Sequence, residues 1–316
     1  MSQAQTLSSG LTEAQKGSLS WAFTGVSVPS DPLSGTMGIL KYAGAGGSHF
    51  AQSIPGALIL NADHTPVVHH PLRAHMWPLV VNNAALEPDP RYPGDLAKAK
   101  HVKMVWDKYE GDEPQGVMSK VELLVKLAAE NKPRPTAVVI DTVDSIMDQI
   151  MPWLTHKFGK EDFSDLGQTG WVQRQNQFWD RLYWPLKWAG YPIIMLIQIY
   201  DEPITVAGPN GQGQVTKFIP NTSLLSEKLA KRLRDACNVV CKIEKYTESG
   251  HIKDGRWVKE ERTGWQMVFR DPAIPDLKTR AGLPDKLDIT GPDSFKKYAT
   301  AYTAAAYKDV ENGKSL

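Results

Sequence analysis

The residue of this chain best placed to do chemistry is an aspartate closing an unbroken apolar run, Thr136-Ala-Val-Val-Ile-Asp141-Thr-Val-Asp144-Ser145. Ala137, Val138, Val139 and Ile140 show no polar alternation, so the run reads as a strand buried on both faces, as in a parallel sheet. A carboxylate at the carboxyl end of such a strand stands where open α/β sheets bind ligands. There it can hold a hard cation such as Mg2+. Its chemical complement would be a glycine-rich loop that cradles phosphates. One candidate lies upstream, where the short strand Gly38-Ile-Leu-Lys-Tyr42 runs into Ala43-Gly44-Ala45-Gly46-Gly47-Ser48-His49. Gly44, Gly46 and Gly47 would let backbone amides approach phosphate oxygens, Ser48 could offer a hydroxyl to the metal, and His49 an imidazole to phosphate.

The loop departs from the P-loop pattern G-x-x-x-x-G-K-[ST] in two ways: it is about two residues short, and no lysine precedes Ser48. Lys41 lies ahead of the loop and would need an unusual path to serve it. A tight turn between strand and helix, with Ser48 as N-cap, accounts for the same residues.

Other candidates cluster around the same sheet edge. Asp63 follows the second apolar strand, Ala57-Leu-Ile-Leu60, and can orient an attacking water or simply end the strand in an Asx turn. Gln198 interrupts the strand Ile193-Ile-Met-Leu-Ile-Gln198-Ile199. A buried amide needs a specific partner, either a γ-phosphate or a neighbouring loop. Lys217, Lys228, Lys231, Arg232 and Arg234 could contact nucleic acid or form a solvated helix face. Arg270 could act in trans as an arginine finger or pair at the surface. His64, His69, His70 and His75 raise a metal, but they sit in a Pro-rich segment without ligand-type spacing. Cys237 and Cys241 read as buried thiols.

The elements needed to position these residues follow from hydrophobic pattern and punctuation. Helices are expected over 48–53, 117–131, 145–157, 170–188 (kinked or divided at Pro185), 224–236 and 293–309. Strands are expected over 38–42, 57–60, 102–106, 137–141, 191–199 and 238–244, with a hairpin region over 255–271 whose clearest strand is 265–270. Residues 201–220, with Gly208-Pro-Asn-Gly-Gln-Gly213, read as a mobile loop. Strands alternating with helices give an α/β class with a mostly parallel central sheet flanked by helices.

Three segments follow: a flexible N-terminal arm (1–33), a nucleotide-binding domain (34–290) and a C-terminal helical extension (291–316). A net charge of +1 over 316 residues excludes a strongly basic, charge-driven nucleic-acid binder, so DNA contact would need a local patch or an oligomeric surface. No apolar stretch approaches the roughly 18 residues of a membrane span. No secretory signal is visible at the N-terminus, and two cysteines fit a reducing cytoplasm.

Several short motifs in one order resemble a family. Asp63-His64 after an apolar strand, Val138-Val-Ile-Asp141, and Leu196-Ile-Gln198-Ile199 followed by a Gly-rich loop look like the corresponding segments of RecA-type recombinases. More closely, residues from about 37 to 290 are similar to the RecA-like P-loop nucleotide-binding (AAA-type ATPase) proteins of bacteriophages and prophages. The carriers are Asp141-Thr-Val-Asp144, Ser164-Asp-Leu-Gly167, Gly170-Trp171 and Arg280-Ala-Gly-Leu-Pro-Asp285. The resemblance implies a RecA-like P-loop NTPase core that binds ATP and Mg2+. It would act on single-stranded DNA in recombination, replication or strand annealing in the bacterial host cytoplasm. Assembly into a ring or filament, with phage replication or recombination proteins as partners, is implied with it.

On that model Ser48 and Asp141 hold Mg2+, Asp63 positions water, Gln198 senses the γ-phosphate, Arg270 serves in trans, and Lys217, Lys228 and Arg232 contact DNA. The missing lysine, with Asp63 for the usual glutamate and Asn61 for an aspartate, points to weak or lost hydrolysis. The alternative is an inactive pseudo-ATPase serving as a structural or interaction module.

Overall fold

A computed structural model describes residues 31–33, 35–61, 80–82, 84–87, 100–103, 106–107, 116–207, 214–221, 227–253, 255–258, 261–271, 274, 277–279 and 282–311. The strands are β1 (Thr36–Lys41), β2 (Leu58–Asn61), β3 (Val80–Asn82), β4 (Ala84–Glu87), β5 (Lys100–Lys103), β6 (Val138–Asp141), β7 (Ile193–Gln198), β8 (Tyr200–Ala207), β9 (Gln214–Asn221), β10 (Val239–Glu248), β11 (His251–Lys253), β12 (Arg256–Val258), β13 (Arg262–Val268) and β14 (Lys286–Asp288). The helices are α1 (Gly47–Gln52), α2 (Gly116–Ala129), α3 (Val143–Lys157), α4 (Gly167–Asn176), α5 (Trp184–Trp188), α6 (Glu227–Ala236) and α7 (Ser294–Glu311).

Eight strands form the central sheet in the order β14-β13-β10-β1-β7-β6-β2-β3. The run from β10 to β3 is parallel throughout, and β13 and β14 add an antiparallel edge. The molecule is thus α/β with a mostly parallel sheet flanked by helices. β7 lies between β1 and β6, so the loop after β1 and the aspartate ending β6 face each other across one intervening strand.

The absence of polar alternation in these strands has a direct structural cause. Successive side chains point to opposite faces, and both faces are covered. Leu40, Leu60, Val138, Ile140, Ile193, Met195 and Ile197 belong to one apolar cluster with Leu124 of α2 and Ile150 of α3. Met37, Ile39, Ile59, Val139, Ile194 and Leu196 belong to the other, with Phe50 of α1 and Phe295, Tyr298 and Tyr302 of α7. The terminal helix expected as an extension beyond residue 290 therefore packs its aromatic face into the same cluster as α1. Each fully buried aliphatic side chain contributes about 1.5–3 kcal/mol relative to exposure, which makes the two-sided core the main stabilising element.

Three local expectations differ from the fold. The segment expected as a mobile loop over 201–220 contains the antiparallel pair β8–β9, in register from Tyr200–Asn221 to Ala207–Gln214. The β-branched residues Ile204-Thr-Val206 and Val215-Thr216 favour the ladder on either side of the glycine-rich segment 208–213, which lies outside the described residues. The helix expected to kink or divide at Pro185 changes its winding upstream of the proline, in a π-helical stretch over Gln177–Tyr183. Pro185 is the second residue of α5, and helical backbone angles run unbroken into it through Tyr183 and Trp184. The expected hairpin over 255–271 is not a hairpin: β13 pairs with β10, and β12 with β11. Among the described residues no helix is long and apolar enough to cross a membrane.

Candidate functional site

The site is built at the carboxyl edge of β1, β7 and β6. β1 ends at Lys41, and the chain turns through Tyr42–Gly46, with the Ala45 N–H bonded to the Tyr42 carbonyl at 3.1 Å. Gly46 caps α1 at φ 88°, a left-handed conformation that glycine adopts without strain. A side chain there would also meet the Trp265 indole, 2.7 Å from an added Cβ. The N-cap is therefore Gly46 and not Ser48. This frees the Ser48 hydroxyl, inside the first turn, to reach out of the helix.

It reaches Asp141. Ser48 Oγ donates to Asp141 Oδ2 at 2.6 Å, and Asp141 is almost fully buried. The second carboxylate oxygen, Oδ1, makes no hydrogen bond among the described residues. Its neighbour is Lys41, whose Nζ lies 3.5 Å away. Lys41 is itself buried, with only 7% of its surface exposed. Its stem fills the space above Gly47, where an added Cβ would fall unacceptably close to Lys41 Cδ. The lysine set aside from sequence as badly placed is thus inside the site.

Gln198, last in β7, is half-buried and pairs in register with Lys41. Its backbone N–H donates to Asp144 Oδ2 at 2.8 Å. Asp144 lies in the first turn of α3, which is capped by Thr142 through a bond from the Ser145 N–H. Asp144 is buried with Oδ1 unpaired, and burial is the chief reason its carboxyl is pushed up to about 6, against the lowering effect of the Gln198 bond. The two aspartates of Asp141-Thr-Val-Asp144 thus have separate tasks. One faces the glycine loop, and the other ties α3 to the end of β7.

His49 points away from the loop hollow. Its Nε2 bonds the Gly291 carbonyl at 3.0 Å, and its ring stacks on Trp265 at 5.4 Å. The imidazole expected on phosphate is thus committed to holding α1 against β13. Gly44, at φ 73°, has open space around it. Arg270 leaves β13 toward the sheet edge opposite Gly46 and pairs with Asp285 at 3.0 Å in an exposed bridge. Arg232 lies in α6 with its guanidinium 4.5 Å from the centre of the Trp179 ring. Lys217 lies in β9 opposite Ile204, and Lys228 in α6; the placement of their side chains is outside the described residues, as are Asp63, His64, His69, His70, His75 and Arg280. Cys237 and Cys241 are free and buried, and burial pushes the Cys237 thiol up to about 12.

A family model described as AAA domain matches residues 36–268, well over half of the chain. The chain belongs to the AAA-domain family. Comparison with curated proteins gives no match. The matched span runs from the first residue of β1 to the last of β13 and includes every element that positions Lys41, Ser48, Asp141 and Gln198. An AAA domain is a nucleotide-binding P-loop fold, usually used with Mg2+. The residues of this AAA domain fit such an ion. Ser48 Oγ and the Asp141 carboxylate supply adjacent hard oxygens, and Asp141 Oδ1 is a buried acceptor with spare capacity. Mg2+ retains several waters and phosphate oxygens as ligands, so one or two protein oxygens suffice.

Sequence reasoning names Lys41 only to set it aside, and misses the roles of Asp144 and Trp265. Lys41 could have been found as a lone cation ending an otherwise apolar strand, paired with a glycine where the P-loop lysine stands. Asp144 carried a signal in its short spacing from Asp141. Trp265, which covers Gly46 and stacks on His49, is remote in sequence and gave no signal.

Proposed function

We propose that this AAA domain binds a nucleoside triphosphate with Mg2+ and uses the bound state to act on single-stranded DNA, as a RecA-like protein of bacteriophage recombination or replication. The observation that carries the nucleotide part is the Ser48–Asp141 contact at 2.6 Å, which joins the glycine loop to the β6 carboxylate around a buried, unsatisfied oxygen. Ser48 and Asp141 hold the metal, which neutralises phosphate charge when bound. The flanking Gln198 amide is the candidate γ-phosphate sensor, and Asp63 the candidate residue for positioning water.

The DNA part is supported by the β8–β9 pair. It begins two residues beyond Gln198, so an arm carrying Lys217 is joined directly to the edge that would sense the nucleotide. Lys228 and Arg232 on α6 are further candidate contacts. Assembly into a ring or filament belongs to the same reading; Arg270, exposed but paired with Asp285 at 3.0 Å, would have to leave that bridge to serve a neighbouring subunit.

One observation favours a second reading, a pseudo-ATPase that serves as an interaction module: Gly47 stands where a P-loop carries its lysine. ATP turnover, measured with and without single-stranded DNA beside anisotropy of a labelled oligonucleotide, separates the two. The first reading predicts nucleotide-dependent DNA binding with slow, DNA-stimulated hydrolysis, reduced by Asp141→Ala. DNA binding indifferent to ATP, with no turnover, would favour the module.

A further inference from the structure

Lys41 and Gly47 occupy one volume. A P-loop lysine projects from the first turn of the helix that follows the loop; here that position is Gly47, and a Cβ built on it would run into Lys41 Cδ. Lys41 comes instead from the strand that precedes the loop. Its stem crosses over Gly47 and its ammonium stops 3.5 Å from Asp141 Oδ1. Both charges are buried, with side-chain exposures of 9% and 2%. A lysine on a strand end is ordinarily free to extend into water, because desolvating an ammonium is costly without compensation. This one is directed inward, beside the hydroxyl and carboxylate that fit Mg2+.

From this geometry we propose that Lys41 replaces the missing P-loop lysine, delivering the phosphate-neutralising cation from β1 rather than from α1. The inference rests on the reading that this edge binds a nucleoside triphosphate. Lys41 compensates the charge of the buried Asp141 carboxylate from the Oδ1 side, while Ser48 bonds Oδ2. With a Mg2+-bound triphosphate in the site, Asp141 would hold the metal, and the Lys41 ammonium would pair with phosphate oxygens in place of the carboxylate. The shortened loop belongs to the same change, since a lysine starting from residue 41 approaches the hollow from the strand side. Gly47 is then required, because any side chain there would displace Lys41.

The direct test uses the unmodified protein. An acyl-phosphate derivative of ATP acylates an amine held beside its phosphates, the amine nitrogen forming an amide as ATP leaves. With Mg2+ present, peptide mapping is expected to find the acyl group on Lys41, and excess ATP to suppress it. Acylation at other lysines with Lys41 untouched overturns the inference.

Affinity for a fluorescent ATP analogue provides the second arm. K41M is expected to bind roughly 10- to 100-fold more weakly, the range of one charge-assisted hydrogen bond. G47K alone gives no gain, because its side chain collides with Lys41. K41A/G47K recovers binding, because the cation returns to the loop and the blocking stem is gone. Should K41M fail to fold, the labelling result and K41A/G47K still decide. Wild-type binding with K41M equally tight overturns the role of Lys41 and leaves the nucleotide site standing. Absence of binding by the wild type overturns both.

Discussion

Two ion pairs in this protein look alike on paper and differ in consequence. Lys41–Asp141 joins the ends of β1 and β6 at 3.5 Å, with side-chain exposures of 9% and 2%. Arg270–Asp285 joins the segments around β13 and β14 at 3.0 Å, with exposures of 63% and 66%. The shorter contact is the less important one. In water a pair of charges is screened and worth at most about 1 kcal/mol. Removing one partner from a buried pair strands the other charge and costs about 3–5 kcal/mol. Burial therefore marks where charge is being used for something. At the β1–β6 edge a cation and a carboxylate are kept out of solvent beside a half-buried hydroxyl and a glycine loop; beyond β13 an arginine and an aspartate meet in open solvent.

The comparison can be broken most readily at Asp141. Asp141→Ala is expected to lower unfolding free energy by about 3–5 kcal/mol, because Lys41 and the Ser48 hydroxyl lose their partner together. An unchanged denaturant midpoint would mean that the pair is solvated after all.

Asp144 sharpens the contrast through pH. In the unfolded chain its carboxyl releases its proton near 3.8; in the fold it holds it to about 6. Between those values the native state binds more protons, so stability falls as pH rises through the window and stays lower above it. The shift corresponds to roughly 3 kcal/mol. Asp144→Asn keeps an acceptor for the Gln198 N–H and removes the charge. It should melt above the wild type at pH 8 and close to it at pH 4. Equal melting at pH 8 would contradict a desolvated carboxylate.

Gly46→Ala comes next. Its φ of 88° and the Trp265 indole both resist a side chain, so a loss of about 1–3 kcal/mol is expected from strain and overpacking. Quenched or shifted tryptophan fluorescence would report the displaced indole. The smallest effect belongs to the exposed pair: Arg270→Ala should change unfolding free energy by no more than about 0.5 kcal/mol. A loss of several kcal/mol would mean that the exposed pair matters as much to the fold as the buried one.

The sheet was legible because two-sided burial leaves a simple trace, apolar runs without alternation at Ala137–Ile140 and Ile193–Ile197. Because Asp141 closes its strand at the carboxyl end, the pattern itself puts it at the ligand-binding edge of an open α/β sheet. The β8–β9 pair is hidden in the sequence because the glycine-rich segment 208–213 dominates the pattern and suggests a loop, although the flanking β-branched residues carry the ladder. The site was half legible. Ser48 and Asp141 follow from motif chemistry, since each stands where a loop and a strand end must meet. Lys41 was discounted because motif spacing fixes where a cation begins along the chain, not where a four-carbon stem can end. His49 and Arg270 show what residue type leaves out: both suit phosphate chemistry, and in the fold His49 bonds the Gly291 carbonyl and stacks on Trp265 while Arg270 pairs with Asp285.

The central claim is a Mg2+-dependent nucleotide site formed by Ser48 and Asp141. Titration calorimetry of ATP into the protein, with and without Mg2+, beside Asp141→Asn, tests it most directly. One saturable site that requires Mg2+ and is lost in Asp141→Asn is the predicted result. No binding by the wild type, or equal binding by Asp141→Asn, would contradict the account.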